Sequence, residues 1–168
     1  MKTVYLIAAL LLFFNSLAQE TTTIYLIRHA EIADDTGDPE LSEAGNVRAK
    51  QWATYFKPML IETFYATQFK RSINTIIPAS VAGVEPVVGA TYTMQMVRYD
   101  AEKLLLKDVA EKHKGEKILI AGHSNTIPKA INKLIGKEIY EEIPKNVYGN
   151  LYIITIIGDK ITHELVKI

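Results

Sequence analysis

Short apolar runs alternate along the chain with longer stretches in which apolar residues recur at helical spacing. Residues 22–27 are β-branched and aromatic and predict a buried strand that ends abruptly in Arg28-His29-Ala30-Glu31. A turn-rich loop follows over residues 34–39. Ser42 then caps a helix whose Ala49, Trp52, Ala53 and Phe56 form one core-facing stripe. Residues 62–66 predict a second strand, and 68–82 a helix bent at Pro78 and stopped by Gly83. Residues 86–88 give a weak third strand, and 90–99 carry no clear pattern. Asp100 is placed to cap a helix reaching about His113, 117–121 is a short apolar strand, and 125–135 a helix with Pro128 in its first turn. Residues 151–157 and 160–166, joined by Gly158-Asp159, predict a hairpin. Strands alternating with helices imply a three-layer α/β/α sandwich with a mainly parallel sheet and a C-terminal antiparallel hairpin.

The first 18 residues stand outside this pattern. A basic Met1-Lys2, an apolar run over 4–14, and Ser16 and Ala18 at small-residue positions have the order of a cleaved signal peptide, with the cut after Ala18. The run falls short of the roughly 20 residues that span a bilayer. The expectation is an exported protein, periplasmic or extracellular, whose mature part, residues 19–168, forms one domain with no membrane contact after cleavage. Lys+Arg and Asp+Glu both number 19, so overall charge attracts neither nucleic acid nor anionic lipid. The absence of cysteine excludes thiol catalysis, zinc–thiolate sites and disulfides.

In parallel α/β sheets ligands bind beyond the carboxyl ends of the strands. Three polar clusters fall at such ends: Arg28-His29, Thr67 to Arg71, and Gly122-His123-Ser124-Asn125. Guanidinium forks match phosphate oxygens, and an imidazole nitrogen can attack phosphorus and form a covalent intermediate. A second imidazole, if charged, stabilises the transition state, and helix N-termini add N–H donors. Phosphoryl transfer through histidine uses all of these groups.

The residues then become specific. Arg28-His29-Ala30-Glu31, Leu41-Ser42-Glu43-Ala44-Gly45, the segment from Tyr65 through Arg71 to Thr75, and Gly122-His123-Ser124-Asn125 resemble, in order, the signature segments of the histidine phosphatase superfamily, also called phosphoglycerate mutase-like. Alanine at position 30 replaces the usual glycine. The resemblance implies His29 as nucleophile and Arg28, Arg71 and His123 as ligands of the phosphoryl oxygens. Thr67 supplies a hydroxyl where the family often has serine, and no metal or other cofactor takes part. Ser124, Asn125 and Asp100 are assigned to substrate binding. The acid that protonates the leaving group is Glu31 or Asp100.

The expected activity is metal-independent hydrolysis of a small-molecule phosphomonoester or phosphoramidate through phospho-His29, with a phosphoprotein as the other substrate class. The alternative is an anion-binding module of the same fold that has lost turnover. Mutase action would need a lid segment that the chain lacks. The loops at 34–40 and 90–99 are assigned to specificity. His113, His163 and the pairs Asp34-Asp35 and Glu141-Glu142 are read as solvated, and Tyr148 and Tyr152 as lining the core or the pocket wall, with core preferred.

Overall fold

A computed structural model of the chain describes residues 19–82 and 96–168. The leader reading of residues 1–18 and the strand expected at 86–88 lie outside them. The elements are β1 (Thr21–Arg28), α1 (Glu43–Phe56), β2 (Thr63–Thr67), α2 (Lys70–Val81), β3 (Met96–Tyr99), α3 (Leu106–Lys112), β4 (Lys117–Gly122), α4 (Thr126–Ile135), β5 (Asn150–Ile157) and β6 (Lys160–Lys167). They build a six-stranded sheet in the order β3-β2-β4-β1-β5-β6. The first four neighbours run parallel, β5 is antiparallel to β1, and β6 is antiparallel to β5.

The central strands are apolar throughout because helices cover both faces. Ile118 and Ile120 of β4 join Ile24 and Leu26 against Leu106 and Val109 of α3 and Ile127 and Ile131 of α4. Leu119 and Ala121 join Ile27 against Trp52 and Phe56 of α1 and Ile76 of α2. This is the expected three-layer sandwich. The sequence pattern missed β3, a four-residue strand paired with β2 in the unassigned 90–99 segment. It also merged two elements after Asp100. That residue caps only a 3-10 turn, Ala101–Lys103, and α3 begins afresh at Leu106.

Two glycines explain motif spacing. Ser42 Oγ accepts the Gly45 N–H at 3.1 Å, while Ser42 N–H donates to the Glu31 carbonyl at 2.9 Å. A Cβ on Gly45 would collide with that same Glu31 carbonyl, so the first turn of α1 can lie on the residues after His29 only with glycine there. At Gly122 a Cβ would stand 2.7 Å from the Tyr99 hydroxyl and 2.9 Å from Ile127, which makes room for side chains beneath the His123 loop.

Two histidines read as solvated are not, His113 and the half-buried His163, whereas Asp34 is exposed as expected. His113 is buried, with Nε2 at 2.9 Å from the Tyr65 hydroxyl and Nδ1 at 2.9 Å from Glu116, which also accepts from Thr63. His163 Nδ1 lies 2.8 Å from the Tyr140 hydroxyl. Asp34 accepts from the Thr36 N–H in a local turn. Each partner comes from pairing across the sheet or from loop conformation, which a linear neighbourhood does not reveal.

Candidate active site

Strand order builds the site. Because β4 lies between β1 and β2, the residues that follow these three strands share one stretch of rim, with Arg28 in register with Gly122. The His29 N–H donates to the Gly122 carbonyl at 2.9 Å and carries the pairing one residue past β1. The rings of His29 and His123 consequently meet edge to face, with centroids 5.4 Å apart.

His29 is 5% exposed. Its Nδ1 lies 2.8 Å from the Ala30 carbonyl. A carbonyl only accepts, so Nδ1 carries the proton and Nε2 keeps its lone pair. The Ala30 N–H donates to Thr75 Oγ1, which itself donates to the Arg71 carbonyl, so α2 anchors the turn behind the nucleophile. Thr75, the last residue of the Tyr65-to-Thr75 segment, takes its role from this tie.

Arg28 is 6% exposed, and its Nη1 donates to the carbonyls of Pro144, Lys145 and Val147 at 2.9–3.0 Å. The Tyr148 ring covers the guanidinium, 4.2 Å from Cζ to centroid, and stands 6.3 Å from the His29 ring. Tyr148 thus belongs to the site wall, whereas Tyr152 is core as expected. The Arg28 Nε is buried without a hydrogen-bond partner. An unpaired buried donor of a cation is costly in a stable fold, and the simplest use for it is an anion. Arg71 lies over Phe69, 4.3 Å to the centroid, and donates to the Gly37 carbonyl at 3.3 Å. Phe69 in turn packs edge-on against His123, with centroids 5.4 Å apart.

His123 Nε2 is 3.1 Å from the hydroxyl of Thr67, which is fully buried and donates to Ser72 at 2.8 Å. This chain of hydroxyls orients the second imidazole. Burial pushes the His29 pKa down to about 4, with Arg28 and Arg71 lowering it further against the Ala30 hydrogen bond. Burial, then His29, Arg71 and Arg28, push His123 down to about 3. Both imidazoles are neutral at neutral pH, and both feel both arginines.

Arg28, His29, Thr67, Arg71 and His123 therefore converge. The remaining candidates are held elsewhere. Glu31 takes a bidentate pair from Arg48, Nε at 2.8 and 2.9 Å and Nη2 at 2.7 Å. Burial would raise its carboxyl, but the Arg48 bonds prevail and hold it below the ordinary carboxylate range. Asp100 follows β3 at the rim, where it caps the Glu102 N–H and pairs with Lys103 at 3.1 Å. The Lys103 bond, then the Glu102 N–H, lower its pKa. Ser124 donates to Glu142 at 3.3 Å, so Glu142 too has a partner, and Asn125 is exposed at the start of α4. The loop at 37–40 docks on α2: Asp38 accepts the Lys70 N–H, and Glu40 takes Lys70 and Asn74. Among the described residues, no group of three or more His, Cys, Asp or Glu side chains is arranged to hold a metal ion.

Residues 24–91 match the histidine phosphatase superfamily (branch 1). No sequence among the curated proteins matches the chain. The fold is similar to that of a candidate phosphohistidine phosphatase SixA from Agrobacterium tumefaciens: TM-score 0.60 and 19% identity, covering 86% of this chain and 94% of that one. It is similar also to the protein histidine phosphatase SixA complexed with tungstate, with TM-score 0.61, 14% identity and coverage of 86% and 96%. A phosphoserine phosphatase mutant from Entamoeba histolytica in complex with phosphoserine gives TM-score 0.64, 14% identity and coverage of 84% and 94%. At these identities the likeness is one of fold.

Proposed function

We propose that this chain is a histidine phosphatase, a reading supported by the branch 1 match over residues 24–91 and by the fold, and that it hydrolyses a phosphomonoester or phosphoramidate through phospho-His29. The observation that carries this reading is the pairing of an imidazole with a free Nε2 and a buried guanidinium with an unpartnered Nε at one rim. The neighbours solved with tungstate and with phosphoserine support a tetrahedral oxyanion on a small molecule as the ligand.

In this reading Arg28, Arg71 and His123 hold the phosphoryl oxygens. His29 Nε2 attacks phosphorus, and the phosphorus–oxygen bond to the leaving group breaks with its electron pair on oxygen. Water then attacks the phosphohistidine, the phosphorus–nitrogen bond returns its pair to Nε2, and phosphate leaves. The cations and oriented N–H groups supply the electrostatic stabilisation that such transfer needs, without a metal. Residues 1–18 act as an export signal in this reading, supported by their basic, apolar and small-residue order.

Trapping tests the nucleophile. Mature protein mixed with an aryl phosphate in the presence of a chelator and quenched in alkali should carry one acid-labile phosphoryl group on the peptide containing His29. Phosphate release with no modification of His29 would rule out the covalent route.

The leaving-group proton comes from Asp100 in this reading, because its single pair with Lys103 is exposed and a bound leaving group can displace it, whereas two Arg48 nitrogens hold the more buried Glu31. Asp100→Asn should slow hydrolysis of alkyl phosphates on the order of 10²-fold, yet leave activated aryl phosphates nearly unchanged. An equal loss on both substrates would reject Asp100 as the acid. The ion pairs on both carboxyls favour a second reading, an anion-binding module without turnover. It predicts phosphate binding and no hydrolysis of either substrate class.

A further inference from the structure

We propose that Tyr148 is a positioning residue for phosphoryl transfer, its ring holding the Arg28 guanidinium so that the Nε edge faces the bound phosphoryl group. The inference rests on the phosphatase reading and adds to it a residue outside the four motif segments.

Nη1 carries two N–H groups and faces three carbonyl acceptors, those of Pro144, Lys145 and Val147, so that corner of the fork is fully used. What Arg28 has left is Nε–H, buried and unpartnered, and the Nη2 corner beside it. These two positions form the side edge of the fork, which receives two oxygens of one phosphoryl group. Backbone carbonyls pull on the guanidinium within its plane and do not stop it from tilting out of that plane. The Tyr148 ring does, because it covers one face of the plane at 4.2 Å. The same ring stands edge-on to His29 at 6.3 Å, so the side chain that sets the tilt of Arg28 also borders the nucleophile. The cradle is pinned to the rest of the rim, since the Ile143 N–H donates to the Ser124 carbonyl at 3.0 Å, next to His123. Residues 143–148 thus couple both ends of the site, the Arg28 end and the His123 end.

A cation over an aromatic face in a desolvated setting is worth enough to change rates by about 3- to 30-fold. A double-mutant cycle isolates this contribution from general packing. The variants are Tyr148→Phe, Tyr148→Leu, Tyr148→Met and Arg28→Lys, alone and with each Tyr148 change. Two quantities are read: single-turnover phosphoryl transfer from an aryl phosphate, and inorganic phosphate affinity by calorimetry. Tyr148→Phe should stay within about twofold of the parent, because the ring is retained. Tyr148→Leu and the longer, unbranched Tyr148→Met, which serves if leucine disrupts folding, should each lose about 3- to 30-fold. In the Arg28→Lys background the same changes should cost less than about twofold, since the plane to be held is gone. Additive losses, or a phenylalanine variant as impaired as leucine, would overturn the role of the ring while leaving the phosphatase reading intact. A parent protein that neither transfers a phosphoryl group nor binds phosphate would sink both.

Discussion

His29→Ala should lose phosphate release by a factor on the order of 10³ or more, while inorganic phosphate still binds. The asymmetry follows from the division of labour at the rim. In the proposed mechanism the anion is gripped by groups beyond three separate strand ends, Arg28 after β1, Arg71 at the start of α2 and His123 after β4. The nucleophile in that mechanism is His29, whose Nδ1 is tied to the Ala30 carbonyl at 2.8 Å and whose Nε2 keeps its lone pair. Removing that imidazole deletes the covalent route but leaves the cations in place. Truncation also relieves His123 of a neighbour that lowers its pKa, so phosphate affinity should be unchanged or higher in the variant. Turnover at the parent rate by purified His29→Ala protein, free of contaminating phosphatase, would exclude His29 as the nucleophile.

The second large effect is on stability in mild acid. Both imidazoles titrate well below their ordinary value of about 6.5, to about 4 for His29 and about 3 for His123, with burial as the first cause in each case. Between pH 6.5 and 4 the unfolded chain binds protons at both positions and the folded chain does not. Stability therefore rises with pH across that window and is lost as the pH falls. The gap amounts to about 2–3 kcal/mol for each histidine by pH 4, against a total of about 5–15 kcal/mol for a domain. Tm of the empty protein should fall by roughly 10 °C or more between pH 7 and 4.5. A bound phosphate dianion reverses the electrostatics, raising both pKa values towards the unfolded one, so saturating phosphate should flatten the dependence. His123→Asn should also reduce the slope. Thermal melts over this range that are flat, or equally steep with and without phosphate, would contradict the electrostatic picture of the site.

How much of this was legible in the chain varies with the range of the interaction. The strand ends at Arg28, Thr67 and Gly122, the capped start of α1 at Ser42 and the hairpin at Gly158-Asp159 are local, and periodicity and turn chemistry identified them. The strand Met96–Tyr99 escaped because four edge residues, three half-buried and one exposed, show too little apolar pattern to stand out. Tyr148 was placed in the core because an aromatic near an apolar strand usually is, and no local feature reveals that Arg28, far back in the chain, lies beneath its ring. Glu31 looked like an acid beside the nucleophile, but only the packing of α1 against the residues after β1 brings Arg48 to it.

By itself the sequence determined the layered architecture and which polar side chains gather at the rim, because hydrophobic period, caps and strand-end chemistry act over a few residues. The tertiary structure alone decided which nitrogen of His29 is free, how Arg28 is oriented and which carboxylates are already paired. Those outcomes depend on strand order and on loops that approach from distant parts of the chain, and on the burial that follows, which shifts the protonation of both imidazoles.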